Sequence, residues 1–268
     1  MQVGIGLPNT TPGTDGAVLL EWARRADAGP FSTVAVLDRL VYDSFEPLTA
    51  LTAAAAVTSR VGLATMVVIG PLRNTTLLAK QATSLQAIAG RPLTLGLSIG
   101  ARLDDYEAAG IDHRARGARL SEQLARLRNG DAAGVQLLAG GASGPAFARM
   151  ARYTDGYAHG GGPPRAFAAA AVRANAAWSD LGRPGRPQLW GQGYFALGDP
   201  EAGAAYLRDY YAFTGGFAEK IAAGNLTSPR EVKDFVRGYE AAGCDKLILL
   251  PTVADVAEVE RLAEVLAG

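Results

Sequence analysis

Eight short apolar runs, each followed by a stretch with helical periodicity, constrain this chain more than any other feature of it. The runs are Val3–Leu7, Thr33–Leu37, Val61–Ile69, Leu93–Ile99, Val135–Ala139, Gly156–His159, Leu189–Leu197 and Lys246–Leu250. They are continuous more than alternating, which is the pattern of parallel strands buried on both faces. The segments between them begin as helices do. Glu46-Pro47 puts proline in a first turn, and Asp199-Pro200-Glu201 sets an N-cap candidate before another. Ser228-Pro229-Arg230-Glu231 reads as a capping box, each of its two polar side chains serving the other residue's N–H. In the last helix Val256, Val259, Leu262, Ala263 and Leu266 share one stripe, with Glu258, Arg261 and Glu264 off it. Eight such units predict a (β/α)8 TIM barrel, with an open doubly wound sheet as the alternative. The length of 268 residues is close to the roughly 250 typical of that barrel. No internal repeat or low-complexity linker divides the chain, so residues 1–268 read as a single domain.

Composition removes several classes of function. The chain is 49% hydrophobic and 19% charged, enough for a large core and unlike a disordered protein. Lys+Arg and Asp+Glu are each 26, and no basic cluster reads as a nucleic-acid or membrane patch. The lone Cys244 has no disulfide partner, and reads as a buried small hydrophobe. With only His113 and His159 besides, no metal centre is expected. Met1–Leu7 reads as a first strand and not a signal peptide. No apolar run reaches the roughly 18 residues of a membrane span, so the expected location is the cytoplasm.

In a barrel of this kind, chemistry gathers at the carboxyl ends of the strands. Asp38-Arg39 follows the second strand, and reads either as a polar ligand edge or as a structural ion pair. Gly96-Leu97-Ser98-Ile99-Gly100 matches a nucleophile elbow, which makes Ser98 the candidate of a serine hydrolase. No histidine follows the final strand and no HGGG loop precedes the serine, so Ser98, Ile99 and Gly100 read better as a turn admitting a ligand to the backbone. Gly140-Gly141-Ala142-Ser143 runs from a strand into a helix over Pro145–Arg152, and offers backbone N–H groups to a phosphate. An ordinary flexible turn is the plainer reading. His159 closes a strand before three glycines, either as a functional imidazole or as a structural one, and His113 reads as surface. Tyr206, Tyr210, Tyr211, Phe213 and Phe217 read as helix packing, a wall over a substrate, or a subunit interface.

The blocks Glu46-Pro47-Leu48, Thr58-Ser59-Arg60-Val61-Gly62, Pro71-Leu72-Arg73-Asn74 and Gly90-Arg91-Pro92 follow one another in a telling order. Gly117-Ala118-Arg119-Leu120, Ala151-Arg152-Tyr153-Thr154-Asp155-Gly156 and Ala242-Gly243-Cys244-Asp245 extend it. In this order the chain resembles the luciferase-like monooxygenase superfamily. The resemblance implies a barrel that binds FMN or the deazaflavin F420, works as an oxidoreductase or monooxygenase on a small organic substrate, and pairs as a homodimer. It implies that Met66-Val67 forms a bulge, often with a cis peptide, against the ring. It also implies that Ser98–Gly100 and Gly140, Gly141, Ala142 and Ser143 hold the phosphate and its chain. Asp38 matches an acidic position of the family, and Arg39 stands where many deazaflavin members have histidine. The connection Leu127–Val135 before the fifth strand is shorter than the family's usual stretch. These two departures keep open a flavin-binding protein without catalysis.

Overall fold

The computed structural model describes all 268 residues, and its eight parallel strands close into a barrel in the order of the chain. The strands are β1 (Gln2–Gly6), β2 (Thr33–Val36), β3 (Gly62–Ile69), β4 (Leu93–Ser98), β5 (Gln136–Gly140), β6 (Gly156–Ala158), β7 (Gln188–Phe195) and β8 (Lys246–Pro251). Closure comes from β1 against β8, with Gln2 opposite Lys246 and Ile5 opposite Leu249. Every predicted strand is present within two residues of its expected ends.

Between the strands run α1 (Gly16–Ala28), α2 (Pro47–Val57), α3 (Thr75–Ala89), α4 (Leu103–Ala108), α5 (Arg116–Arg126) and α6 (Gly144–Tyr153). After them come α7 (Pro164–Asp180), α8 (Pro200–Tyr210), α9 (Phe217–Ala222), α10 (Pro229–Ala241) and α11 (Ala257–Ala267). Their starts are written in side chains. Asp15, Glu46, Asn74, Ser143, Asp199 and Ser228 each accept an N–H of the first turn they precede, a contact worth about 1 kcal/mol apiece. The expected capping box is only half formed. Ser228 takes the Glu231 N–H, but the Glu231 carboxylate reaches one residue further, to the Thr227 N–H at 2.8 Å and its hydroxyl at 2.9 Å.

Side chains alternate across each strand, so the barrel has two apolar compartments. The larger, of 50 buried residues, lies between sheet and helices and contains Val34, Val36, Tyr157, Phe167 and Tyr239. The smaller fills the barrel itself with Ala35, Ala64, Met66, Leu138, Ala158, Trp190, Ile248 and Leu250, under a cover of Tyr206, Tyr210 and Ala222 from α8 and α9. Glu258 corrects the stripe expected for the last helix. It is fully buried, and its carboxylate accepts the N–H groups of Leu197 and Gly198, both at 2.6 Å, with Arg261 at 2.7 Å. The chain leaving β7 presents two donors with no neighbouring strand, and an acceptor has to enter the core to meet them.

Candidate active site at the barrel mouth

At the carboxyl ends of the strands lies a cavity of 420 Å³. Its lining includes ten of the twelve catalytic or cofactor-binding candidates named from sequence: Asp38, Arg39, Met66, Val67, Ser98, Ile99, Gly100, Gly140, Gly141 and His159. Ala142 and Ser143 stand just outside it.

One wall is a bulge in β3. Thr65 pairs with Leu95 and Val68 with Leu97, so Met66 and Val67 together face the single residue Gly96. The Met66–Val67 peptide is cis. A Cβ on Gly96 would lie 2.5 Å from the Thr65 carbonyl oxygen and 2.9 Å from Val67, so only glycine fits opposite this bulge. Gly100 has φ +66°, and its Cβ would strike Ile69 at 2.7 Å. Both glycines of the apparent nucleophile elbow thus answer to packing. Ser98 Oγ accepts only the Gly100 N–H, at 3.3 Å, and neither imidazole reaches it. The hydrolase geometry is not assembled.

Asp38 and Arg39 turn to different partners. Asp38, its side chain 1% exposed, receives Arg73 at 2.6 and 3.0 Å and the Ile69 N–H at 2.7 Å. Burial pushes its carboxyl above the ordinary range, while the Arg73 guanidinium and the Ile69 N–H pull it back. Arg39 donates to the Tyr210 carbonyl at 3.2 Å and the Val41 carbonyl at 3.0 Å, and lies between the rings of Tyr42 and Tyr210 at 4.3 and 4.9 Å. The two adjacent residues therefore do not pair with each other. Arg39 and Arg102 instead approach a fully buried carboxylate, Asp105, whose Oδ2 lies 3.9 and 3.8 Å from their Nε atoms. Asp105 Oδ1 accepts the N–H groups of Leu40 and Val41. Sequence reasoning missed Arg73 and Asp105 as site residues because Asp38 and the Arg39–Val41 segment that they meet lie after another strand, and it missed Arg102, which sits three residues before Asp105.

His159 borders the cavity, yet its ring packs beside Phe167 at 5.5 Å and Tyr239 at 6.4 Å on the helix side of the sheet. Burial pulls it down to about 4, which leaves it neutral at pH 7, and its Nδ1 has no partner. Gln192, also unremarked in the sequence, is 5% exposed, lines the cavity and carries an Oε1 without a hydrogen bond. Tyr210, Tyr211 and Phe213 of the aromatic cluster also line the cavity.

The turn after β5 stays open. Gly141 has φ +125°, where a side chain is strained, and Gly141 to Ser143 are exposed. The N–H groups of Gly141, Ala142 and Ser143 find no acceptor in the chain. Ser143 caps α6, and Arg173 donates to the Ala142 carbonyl at 2.9 Å, which sets a guanidinium beside the turn. Unpaired N–H groups, a helix N-terminus and a cation make an anion cradle.

Known proteins share this frame. An F420-dependent secondary alcohol dehydrogenase, solved with an F420–acetone adduct, superposes with a TM-score of 0.79 at 17% identity, covering 98% of this chain and 97% of that one. The monooxygenase RslO1 of Streptomyces bottropensis gives 0.74 at 19% identity, covering 100% and 98%. The oxygenating constituent of 3,6-diketocamphane monooxygenase from Pseudomonas putida, in complex with FMN, gives 0.71 at 15%, covering 99% and 96%. At those identities the likeness is one of fold. In sequence, an uncharacterized protein of Mycobacterium tuberculosis is 30% identical over 196 residues, taking in 56% of this chain and 68% of the relative. The family described as luciferase-like monooxygenase matches residues 1–130, the half that carries the β3 bulge and the turn after β4. Bulge, mouth and sequence agree: this chain belongs to the luciferase-like monooxygenase family.

Proposed function

We propose that the mouth cavity binds FMN or the deazaflavin F420 and that the protein is an oxidoreductase acting on a small organic molecule. The observation that carries this reading is the adjacency of two features: a largely apolar wall at Met66 and Val67 in the mouth cavity, and an open anion cradle at Gly141–Ser143 that starts at the cavity's edge with Gly141. Gly140, Gly141, Ala142 and Ser143 would hold the phosphate, with Arg173 beside them. Ser98, Ile99 and Gly100 would border the chain leading to it, and Met66 and Val67 would back the ring. When bound, the cofactor supplies the transfer of a hydride or of electrons. The protein's part is to bind, orient and exclude water. Gln192 offers an amide to the ring or the substrate, and Arg39 and Asp38 hold the loops of the mouth in place by their own hydrogen bonds. A homodimer, the family's habit, is part of the same proposal.

A second reading, a flavin-binding protein without turnover, is favoured by two observations. His159 is held neutral by burial down to about 4, and Arg39 stands where a proton-transferring histidine would be. Titration of the apoprotein with FMN, F420 and riboflavin separates these possibilities. At least one phosphorylated cofactor is expected to bind with Kd of about 1 µM, roughly −8 kcal/mol. FMN should bind at least about tenfold more tightly than riboflavin, and Ala142→Glu should remove that advantage. No binding of either cofactor refutes the reading, and tight binding with no turnover of any donor and acceptor pair selects the second.

A further inference from the structure

Beside the mouth lies a larger hollow of 730 Å³ that shares Gly160 and Tyr211 with the mouth cavity. Its volume falls within the range of small-molecule sites, roughly 300–1,000 Å³. We propose that it seats the organic substrate, and that the substrate is an apolar molecule with an anionic group at its outer end. This rests on the flavin reading, since the hollow adjoins the mouth cavity at Gly160 and Tyr211.

The chemistry of the walls changes from inside to outside. Inside, Tyr194, Tyr211 and Phe235 present rings, and Gly193 presents bare backbone. The Tyr194 and Tyr211 hydroxyls bond each other at 2.5 Å, so the inner end offers aromatic faces and no free charge. Phe217 continues the apolar wall outward with 58% of its surface exposed, an area that a bound apolar body would cover.

At the rim the balance is positive. Lys220 and Arg165 line the hollow, are exposed, and take part in no ion pair. Glu231 is the one acidic residue of the lining, and its carboxylate is engaged by the Thr227 N–H and hydroxyl. The 17-residue helix α7 begins at the same rim with Pro164 and Arg165, adding the positive end of its dipole. An apolar cleft with two unpaired cations at its exposed rim is complementary to an amphipathic anion.

The test uses 1-anilinonaphthalene-8-sulfonate as a fluorescent probe on the full chain, with decanoate and decanol as competitors. One probe per chain is expected, displaced by decanoate at about tenfold lower concentration than by decanol. The double substitution Lys220→Glu with Arg165→Glu, both exposed, should abolish decanoate's advantage and spare decanol. Ala223→Trp, an exposed wall position, should block both. FMN and F420 titrations of the same variants should match the parent. Equal competition by decanoate and decanol overturns the proposal, as does full decanoate affinity in the double variant or undiminished binding in Ala223→Trp. If both cofactors fail to bind but decanoate does, the flavin reading falls and the anionic apolar site stands. If a cofactor binds and decanoate does not, the site falls alone.

Discussion

Replacing Arg73 with methionine strands the Asp38 carboxylate in the wall of the mouth. That side chain is 1% exposed, and two of its three hydrogen bonds come from Arg73, at 2.6 and 3.0 Å. Only the Ile69 N–H at 2.7 Å would remain. Breaking a buried pair from one side costs about 3–5 kcal/mol, because the other charge stays desolvated. At about 2–4 °C per kcal/mol for a chain of this size, melting should fall by roughly 6–20 °C. The penalty has a definite pH dependence. Burial already raises the folded carboxyl above its ordinary value, and losing the guanidinium raises it further. A raised folded value means stability that is complete below the unfolded value and is lost as pH climbs through the folded one. The cost of Arg73→Met is therefore largest at neutral pH and above, and shrinks on acidification toward pH 4. Urea unfolding followed by circular dichroism at pH 5 and pH 8 measures this. Adding Asp38→Asn removes the stranded charge and should restore at least half the loss. A cost below about 1 kcal/mol at pH 8, or the same cost at both values, would mean that water reaches the pair and that the account of the wall is wrong.

Three further outcomes are expected. His159, held down to about 4, should show no titration of its ring proton resonances above pH 5, and stability should fall from about pH 6.5 toward pH 4 as the unfolded imidazole takes up a proton that the folded one refuses; a His159→Phe variant should lose that slope, and a normal midpoint near pH 6.5 would contradict the burial. Gln192→Leu removes an amide oxygen that has no partner, so the free protein should be as stable or more so, while FMN or F420 affinity should drop about 2- to 10-fold; unchanged affinity removes Gln192 from the site. Cys244, buried and pushed up to about 12, should react with Ellman's reagent only on unfolding, and rapid labelling of the native protein would show an open thiol.

The layers of this fold were legible because hydrophobic continuity is local. A strand buried on both faces needs a run such as Leu93–Leu97, and each run reports itself. Caps are local too, and Glu46, Asp199 and Ser228 were readable as helix starts. What the runs do not contain is the answer to a distant backbone group. Glu258 lies off the apolar stripe by helical period, yet is buried because two N–H groups after β7 need an acceptor. Asp38 suggested its neighbour Arg39, whereas its partner is Arg73, beyond the end of the next strand. Nothing within either segment encodes that pairing; barrel closure does.

The candidate site divides along the same line. Its backbone parts, the glycine turns after β4 and β5, were found because glycine marks places where side chains are excluded. The reason for exclusion was not found, since Gly96 is required by the Thr65 carbonyl across the β3 bulge and not by a serine nucleophile. Direction within a strand is the last piece, and it follows from alternation. In β6, Ala158 faces the barrel interior and Tyr157 the helices, so the next residue, His159, turns to the helix side and meets Phe167 and Tyr239. Gln192 in β7 falls in step with Trp190 and Tyr194, which face the interior, so its amide rises from the barrel lumen toward the mouth. A single uncharged amide, set among apolar walls and lacking a partner, is costly to keep unless something occupies the space it faces. That cost, with the amide's place in the cavity lining, makes the interior glutamine a pointer to a ligand, whereas His159, whose Nδ1 is likewise without a partner, turns its ring toward Phe167 and Tyr239 on the helix side.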